Sequence, residues 1–414
     1  MTGFIGTALV ISLATLSQDI TIPAPLSLAE AVLVAEQVDD ASVQVWQARA
    51  RAFDHRGESE NALPDPMLRV GLANVPLSDL DFNREAMTQA QFGVRQMFPR
   101  GETRELNRLR RRAQASGARE GAALEQTRIR YSVREAWLEA YYWQQAYTLT
   151  GQSQSSISQL GEIATASFAS GRSNSHDVLR IELETSILDT RLVQIERNRE
   201  IAQVSLERFV PSEIAGRPLT PNLPVLPAVP NDLMTAQSQL VAHPMVRMLD
   251  AQVVTRGREV DLALQQYRPG WGLEAGYGLR DARSDAASLA VTVEVPFFSR
   301  RRQDEGVAAA RQDQAADQLN RQATLLDMNR QLESEYARYN RLSEERALFD
   351  GDVLDRARQT AVAVLIAYEN EQADFAELVR AELALLDAEL TLIRLNIDTL
   401  KSQARILYLV GDVQ

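Results

Sequence analysis

The 414-residue chain carries 44 basic and 56 acidic side chains, a net charge of −12, which excludes a general basic field for gripping nucleic acid. With 45% apolar and 24% charged residues it is neither a disordered chain nor a multi-span helical membrane protein, and it can bury a large core. The absence of cysteine removes disulfides, thiol nucleophiles, zinc fingers, iron–sulfur clusters and a lipoprotein anchor, and His55, His176 and His243 lie too far apart in sequence to suggest a histidine-based catalytic or zinc site.

The chain opens with an apolar run, Phe4 to Leu16, followed by the polar Ser17-Gln18-Asp19. It is shorter than the about 20 residues of a spanning helix, so residues 1–17 are expected to be a secretory signal peptide, with small residues near Ala14 to Ser17 for cleavage. The first residues, MTGF, lack the usual Lys or Arg, and a buried N-terminal helix is the alternative. No later stretch is long and apolar enough to cross a bilayer as a helix, so a membrane contact falls to β-strands or to the surface.

Leu28 to His55 reads as helix, Met67 to Asn74 and Gln89 to Phe98 as strands, and Gly101 to about Ser167 as one proline-free helix that returns through a second to residue 210. Residues 211–230, Pro211 to Pro230, are a proline-rich connector, because proline lacks an N–H and fixes φ. The order then recurs, with a helix from Asp232 to Gln266, strands from Trp271 to Leu279 and Ser288 to Val295, and a proline-free helix from Arg300 to about Ala367. An offset of 200 sets Val178-Leu179-Arg180-Ile181-Glu182-Leu183 on Leu378-Val379-Arg380-Ala381-Glu382-Leu383, and Phe168 on Tyr368. The predicted organisation is therefore two related units, 18–210 and 231–414, with strands at about 66–98 and 270–296 and helical hairpins at 101–210 and 300–411.

Helices of this length would run about 100 Å, and in water they need a continuous apolar seam. Val379, Leu386, Ile393, Leu400 and Leu407 step by sevens, as do Ile181, Leu188, Ile195, Ala202 and Phe209. A second column, Leu383, Leu390, Ile397 and Ala404, together with Leu378, Leu385 and Leu392, widens the last helix's stripe enough for neighbours on two sides, as in the wall of a tube. A solid antiparallel bundle explains the heptads equally well but the strands poorly.

The strands alternate. Leu289, Val291, Val293 and Val295 point one way and Ser288, Ala290, Thr292 and Glu294 the other, while Trp271, Leu273, Tyr277 and Leu279 share a face. That is the pattern of a membrane barrel strand, and also of an amphipathic hairpin in a soluble sheet. Four strands cannot close a barrel alone, whereas three copies would supply twelve around an aqueous lumen.

The chain resembles the TolC family of outer-membrane efflux ducts over nearly all of its length. The resemblance is carried by the repeat, by Asp65-Pro66-Met67-Leu68 leading into Val70-Gly71-Leu72-Ala73-Asn74, by Phe92-Gly93-Val94-Arg95-Gln96-Met97-Phe98-Pro99-Arg100-Gly101, by His243-Pro244 and by Tyr267-Arg268-Pro269. The Asp-Pro-Met-Leu and Pro-Arg-Gly stretches are most similar to the heavy-metal, CzcC-like branch. The resemblance implies a mostly α fold with a small β part: a homotrimer whose coiled-coil hairpins form an α-barrel and whose strands form a twelve-stranded β-barrel in outer-membrane lipid. It also implies tips that dock a periplasmic adaptor (membrane fusion protein) serving an inner-membrane resistance–nodulation–division (RND) pump.

By that resemblance the tips are Phe168 to Asn174, with Ser170, Gly171 and Arg172 as adaptor contacts, and Tyr368 to Asp374, with Glu369, Asn370 and Glu371. Glu371 stands where the first tip has Gly171, the residue suited to a left-handed helix end. Asp177 and Glu377 occupy equivalent positions, followed by Arg180 and Arg380, and in a trimer each would become a ring of three. Asp374 and Glu377 are the leading candidates for an acidic aperture, against a solvated helix face with ordinary ion pairs. His243, Met245 and Met248 have the donor types of a Cu(I) site, but Pro244 suits a helix start and the methionines lie at core spacing. No HExxH, phosphate loop or Ser/His/Asp arrangement is present, so neither enzyme chemistry nor a cofactor is expected. The reading is a passive outer-membrane exit duct with metal cations as the leading substrate. A type I protein-secretion duct and a soluble periplasmic coiled-coil scaffold are the alternatives.

Overall fold

Polar caps divide the first predicted helix in two. The computed structural model describes residues 24–411 except 79, 83–84, 170–174, 282 and 371, so the predicted signal segment lies outside the described residues. Ser27 caps α1 (Leu28–Gln37) by accepting from the Glu30 amide at 3.2 Å, and Asp40 caps α2 (Ala41–Asn61) by accepting from the Ser42 amide at 2.8 Å. Asp40 breaks the single predicted helix because a short carboxylate competes for free amides better at a helix start than inside one.

Two strands follow, β1 (Met67–Ala73) and β2 (Gln89–Phe98), then α3 (Thr103–Ala169) and α4 (Ser175–Glu207). The 67 residues of α3 make a rod about 100 Å long. After the short α5 (Ser212–Ala215), the predicted helix Asp232 to Gln266 is again interrupted: α6 (Leu233–Gln239) passes through a 3₁₀ turn, Leu240–Ala242, and α7 (Pro244–Gln265) begins afresh. His243 precedes proline and is therefore extended, at φ −63° and ψ 137°. Its Nδ1 accepts from the Met245 amide at 3.2 Å, and burial pushes the imidazole below its ordinary value, leaving it neutral as that bond requires. Strands β3 (Gly270–Leu279) and β4 (Ala286–Glu294) precede an unbroken helical stretch through α8 (Glu305–Leu348) and α9 (Asp355–Glu369), with π-helical turns at Arg300–Asp304 and Phe349–Leu354, and α10 (Phe375–Leu409) closes the chain.

The predicted seams are where the helices pack. Ile181, Leu188 and Ile195 of α4 meet Ala146 and Ile157 of α3 and Val379, Leu386 and Leu390 of α10. Farther along, α10 packs Ile397, Ala404 and Leu407 with α3 at Val133 and Leu138, and Ile406 and Leu409 with α8 at Met328 and Leu332. The last helix thus has neighbours on two sides.

The proline-rich connector is a strap across these helices. Side chains from α3, α8 and α10 bond its carbonyls: Tyr141 donates to Pro221 at 2.8 Å, Tyr336 to Pro230 at 2.9 Å and Gln403 to Pro227 at 2.8 Å. Leu219 bridges in parallel to buried Leu26, whose carbonyl also accepts from the Trp137 indole at 3.3 Å.

Beside the strap, Glu139 of α3 joins α10 electrostatically. It accepts from Arg394 at 3.1 Å, from Lys401 and from the Trp143 indole at 2.7 Å, and Arg394 lies 3.5 Å from the centre of the Tyr142 ring. Burial alone would push the Glu139 carboxyl up; the hydrogen bonds from Arg394 and Lys401 outweigh it and hold the group below the usual carboxylate range. A depressed native carboxyl contributes stability above about pH 4.3 and loses it as pH falls through the native value. Glu139→Gln is expected to cost about 1–2 kcal/mol at neutral pH, between an exposed and a fully buried pair. In thermal melts across pH, the gap between wild type and variant should close on acidification; a gap constant with pH would exclude the charge as its source.

Candidate functional site

The strands form one antiparallel sheet in the order β1-β2-β3-β4, and its register sorts side chains by face. Leu68 pairs with Val94, Val94 with Ala275 and Ala275 with Leu289; Val70 pairs with Phe92, and Phe92 with Tyr277. Leu273 pairs with Val291 and Trp271 with Val293, so partners across all four strands extend one apolar face. It is uncovered: Leu68, Val70 and Leu289 are 79%, 74% and 73% exposed. Burying a side chain of this size is worth about 1.5–3 kcal/mol, so the face is costly in water and favourable in lipid.

The other face is mostly polar or small, with Met67 and Met97 as its large apolar members. Arg69 pairs with Gly93 and Gly93 with Gly276, Arg95 with Glu274, and Gly272 with Thr292. Because Gly93 carries no side chain, Arg69 reaches across it to Glu274 at 3.8 Å. Among the described residues, each outer strand, β1 and β4, has one edge without a partner strand.

The junction with the helices is built by the predicted Pro-Arg-Gly turn. Gly101 has φ +47°, and a Cβ there would collide with the Gln265 and Arg268 side chains. Arg100 donates to Glu294 at 2.8 Å and to the Gln266 carbonyl at 3.1 Å, tying the end of β2 to β4 and α7. At the same level Phe98 stacks on Trp271, their ring centres 3.9 Å apart.

At the opposite end of the molecule, Ser170, Gly171 and Arg172 of the first tip and Glu371 of the second lie outside the described residues. Asp177 lies in the first turn of α4, and its side chain is outside the described part; Arg180 is exposed. The second tip is closed by local bonds: α9 ends at Glu369, the Asn370 side-chain amide donates to the Ile366 carbonyl at 2.7 Å, and Tyr368 meets Phe375 edge-on at 5.7 Å. Asp374 caps α10, its carboxylate accepting from the Glu377 amide at 2.7 Å. Asp374 and Glu377 thus stand together as the two acids of a capping-box sequence, a helix-start signal that the residue types alone carry. Both are exposed, and the Arg380 guanidinium turns back to the Ala376 carbonyl of its own helix at 3.1 Å. Among the described residues there is no cluster of three or more His, Cys, Asp or Glu side chains able to hold a metal ion.

The sheet, apolar on one face, is carried on helices of which α3 runs about 100 Å, and this arrangement recurs in solved outer membrane proteins. The chain is similar to the outer membrane protein VceC of Vibrio cholerae, with 13% identity, a TM-score of 0.76, and 93% of this chain and 96% of that chain covered. It is similar to the CmeC outer membrane channel of Campylobacter jejuni, at 10% identity and TM-score 0.77, covering 93% and 85% of the two chains. The MtrE outer membrane channel of Neisseria gonorrhoeae, solved in an open state, matches at 13% identity and TM-score 0.72 over 93% and 88%. No protein-family profile and no curated sequence matches. The TolC-like fold expected from the sequence is therefore the fold of this chain.

The cap gives Asp374 a structural task separable from its charge. Asp374→Ala should destabilise the start of α10 by about 1 kcal/mol and speed hydrogen exchange in its first turn, while Asp374→Asn should leave exchange near the wild-type rate. Equal exchange in both variants would mean that the cap contributes nothing.

Proposed function

We propose that the chain is one protomer of a homotrimeric, passive exit duct in the outer membrane of a Gram-negative bacterium. In this reading each copy supplies four strands of a twelve-stranded barrel, its apolar face toward lipid and its Arg69–Glu274 face toward an aqueous lumen, and the helices line a second cylinder through the periplasm. One observation carries it: the uncovered apolar face ends at two unpaired strand edges. Backbone groups left unpaired in lipid cost several kcal/mol each, and copies joined edge to edge leave none.

The helices support the same assembly. Leu179, Leu183, Ile187 and Val193 stay exposed along α4, and Leu319, Leu326 and Leu348 along α8, two different apolar faces of the kind a head-to-tail ring brings together. The recurring element order supports the two-unit repeat. At the tips, Ser170, Gly171, Arg172, Glu369, Asn370 and Glu371 would contact the periplasmic adaptor, and Asp374, Glu377 and Asp177, with Arg180 and Arg380, would line the aperture. An RND pump in the inner membrane supplies the energy, and the resemblance to the heavy-metal branch makes metal cations the proposed cargo.

Purified protein added to a planar lipid bilayer should give discrete, cation-preferring conductance steps. Asp374→Asn combined with Glu377→Gln keeps the cap and should weaken that preference severalfold. Recovery as a soluble periplasmic monomer without conductance would overturn the duct; unchanged selectivity in the double variant would remove the aperture ring alone. Deleting the gene in its host should raise cellular divalent-metal content severalfold under metal challenge, and an unchanged content would overturn the metal cargo while leaving the duct.

A further inference from the structure

Where β4 leaves the sheet, the chain runs Val295-Pro296-Phe297-Phe298-Ser299 into the π-helical turn Arg300–Asp304. Phe297 and Phe298 are 80% and 92% exposed. Arg300, Arg301 and Arg302 are also exposed, and among the described residues no carboxylate lies within ion-pair distance of any of them. The nearby arginines are committed, Arg100 to Glu294, Arg104 to the Asn61 carbonyl and Arg108 to Glu105, and Asp304 accepts from the Tyr267 hydroxyl.

Strand register fixes the level of this segment. Glu294 pairs with Gly270 and Val293 with Trp271, and Trp271 stacks on Phe98 at the helix-proximal border of the apolar face. Aromatic side chains of membrane proteins gather at such borders, where acyl chains give way to headgroups. Two bare phenyl rings followed by three uncommitted guanidinium groups therefore fall where a bilayer turns from hydrocarbon to phosphate. Guanidinium matches phosphate oxygens with paired N–H donors, and a lipid surface is the occupant that offers both an apolar layer and anions at this spacing.

We propose that Phe297 to Arg302 docks anionic phospholipid of the periplasmic leaflet, the phenyl rings entering the acyl boundary and the three arginines holding headgroup phosphates. The proposal rests on reading the sheet as part of a membrane barrel. Closing that barrel would bring β1 of the next copy beside β4, and with it Asp65, one carboxylate against three arginines.

The test uses the full chain with Phe298→Trp as reporter, in mixed vesicles of phosphatidylcholine and phosphatidylglycerol in which one lipid or the other carries brominated chains. Brominated phosphatidylglycerol is expected to quench the reporter at least twofold more strongly than equally abundant brominated phosphatidylcholine. Replacing Arg300, Arg301 and Arg302 by Gln should bring the ratio to one without loss of conductance, and replacement by Lys should keep it above one. Insertion with equal quenching by both lipids, or a preference surviving the Gln replacement, overturns the proposal alone. Failure to insert into either vesicle overturns the membrane reading and the proposal with it.

Discussion

The structure depends on the register of four strands. Because side chains alternate with period two, slipping any strand by one residue would turn its apolar set into the polar face and bring charge into the apolar one. Arg69, Arg95 and Glu274 share one face only because Met67 pairs with Arg95 and Arg95 with Glu274. The lock on that register lies outside the sheet. Arg100 binds Glu294 and the Gln266 carbonyl at once, and Gly101 turns the chain through a conformation that a side chain at this position would obstruct.

The helices solve a different problem, that of length. A rod as long as α3 gains nothing from a single central core, so its stabilisation is distributed along seams of buried apolar side chains, from Leu106 through Val133 and Leu138 to Ile157 and Ala164. Distributed packing resists bending but not sliding, because heptad seams look alike after seven residues. The specific contacts collect midway, where the connector takes hydrogen bonds from Tyr141, Tyr336 and Gln403, and Glu139 ties α3 to Arg394 and Lys401. These directional bonds select one alignment from the several that apolar seams alone would allow, at little net cost because each buried donor finds an acceptor.

Periodic features were legible in the sequence, and pairwise features were not. The strands, the long rods and the heptad columns at Ile181 to Ile195 and Val379 to Leu407 follow from spacing, which is a property of one segment. The breaks at Asp40 and His243 are local too: a short acid before a helical run and a residue preceding proline both mark helix starts, and Pro244 is such a start inside the single helix expected from Asp232 to Gln266. The strap and the Glu139 cluster depend on residues about 80 to 255 positions apart, and no local pattern announces such pairs. At the tips the residue types were legible and their arrangement was not: the sequence placed Asp374 among charges, and the fold gives it a cap to hold.

That cap bears on how an acidic aperture can exist. Two carboxylates about 8 Å apart repel by about 0.5 kcal/mol in water and by about 2 kcal/mol at the lower effective dielectric of a narrow mouth. A carboxylate at a helix N-terminus gains about 0.3–1 kcal/mol from the free amides and the helix dipole. Asp374 has that compensation through the Glu377 amide, so three copies meeting in water would be near balance, and constriction would raise repulsion faster than the caps offset it. An aperture built this way would favour the wider state unless arginines or cations stand between the acids. The Arg380 guanidinium, turned back on the Ala376 carbonyl, is not spent on either acid within its own protomer. The proposed ring would therefore draw its countercharge from a neighbouring copy or from the ions passing through it.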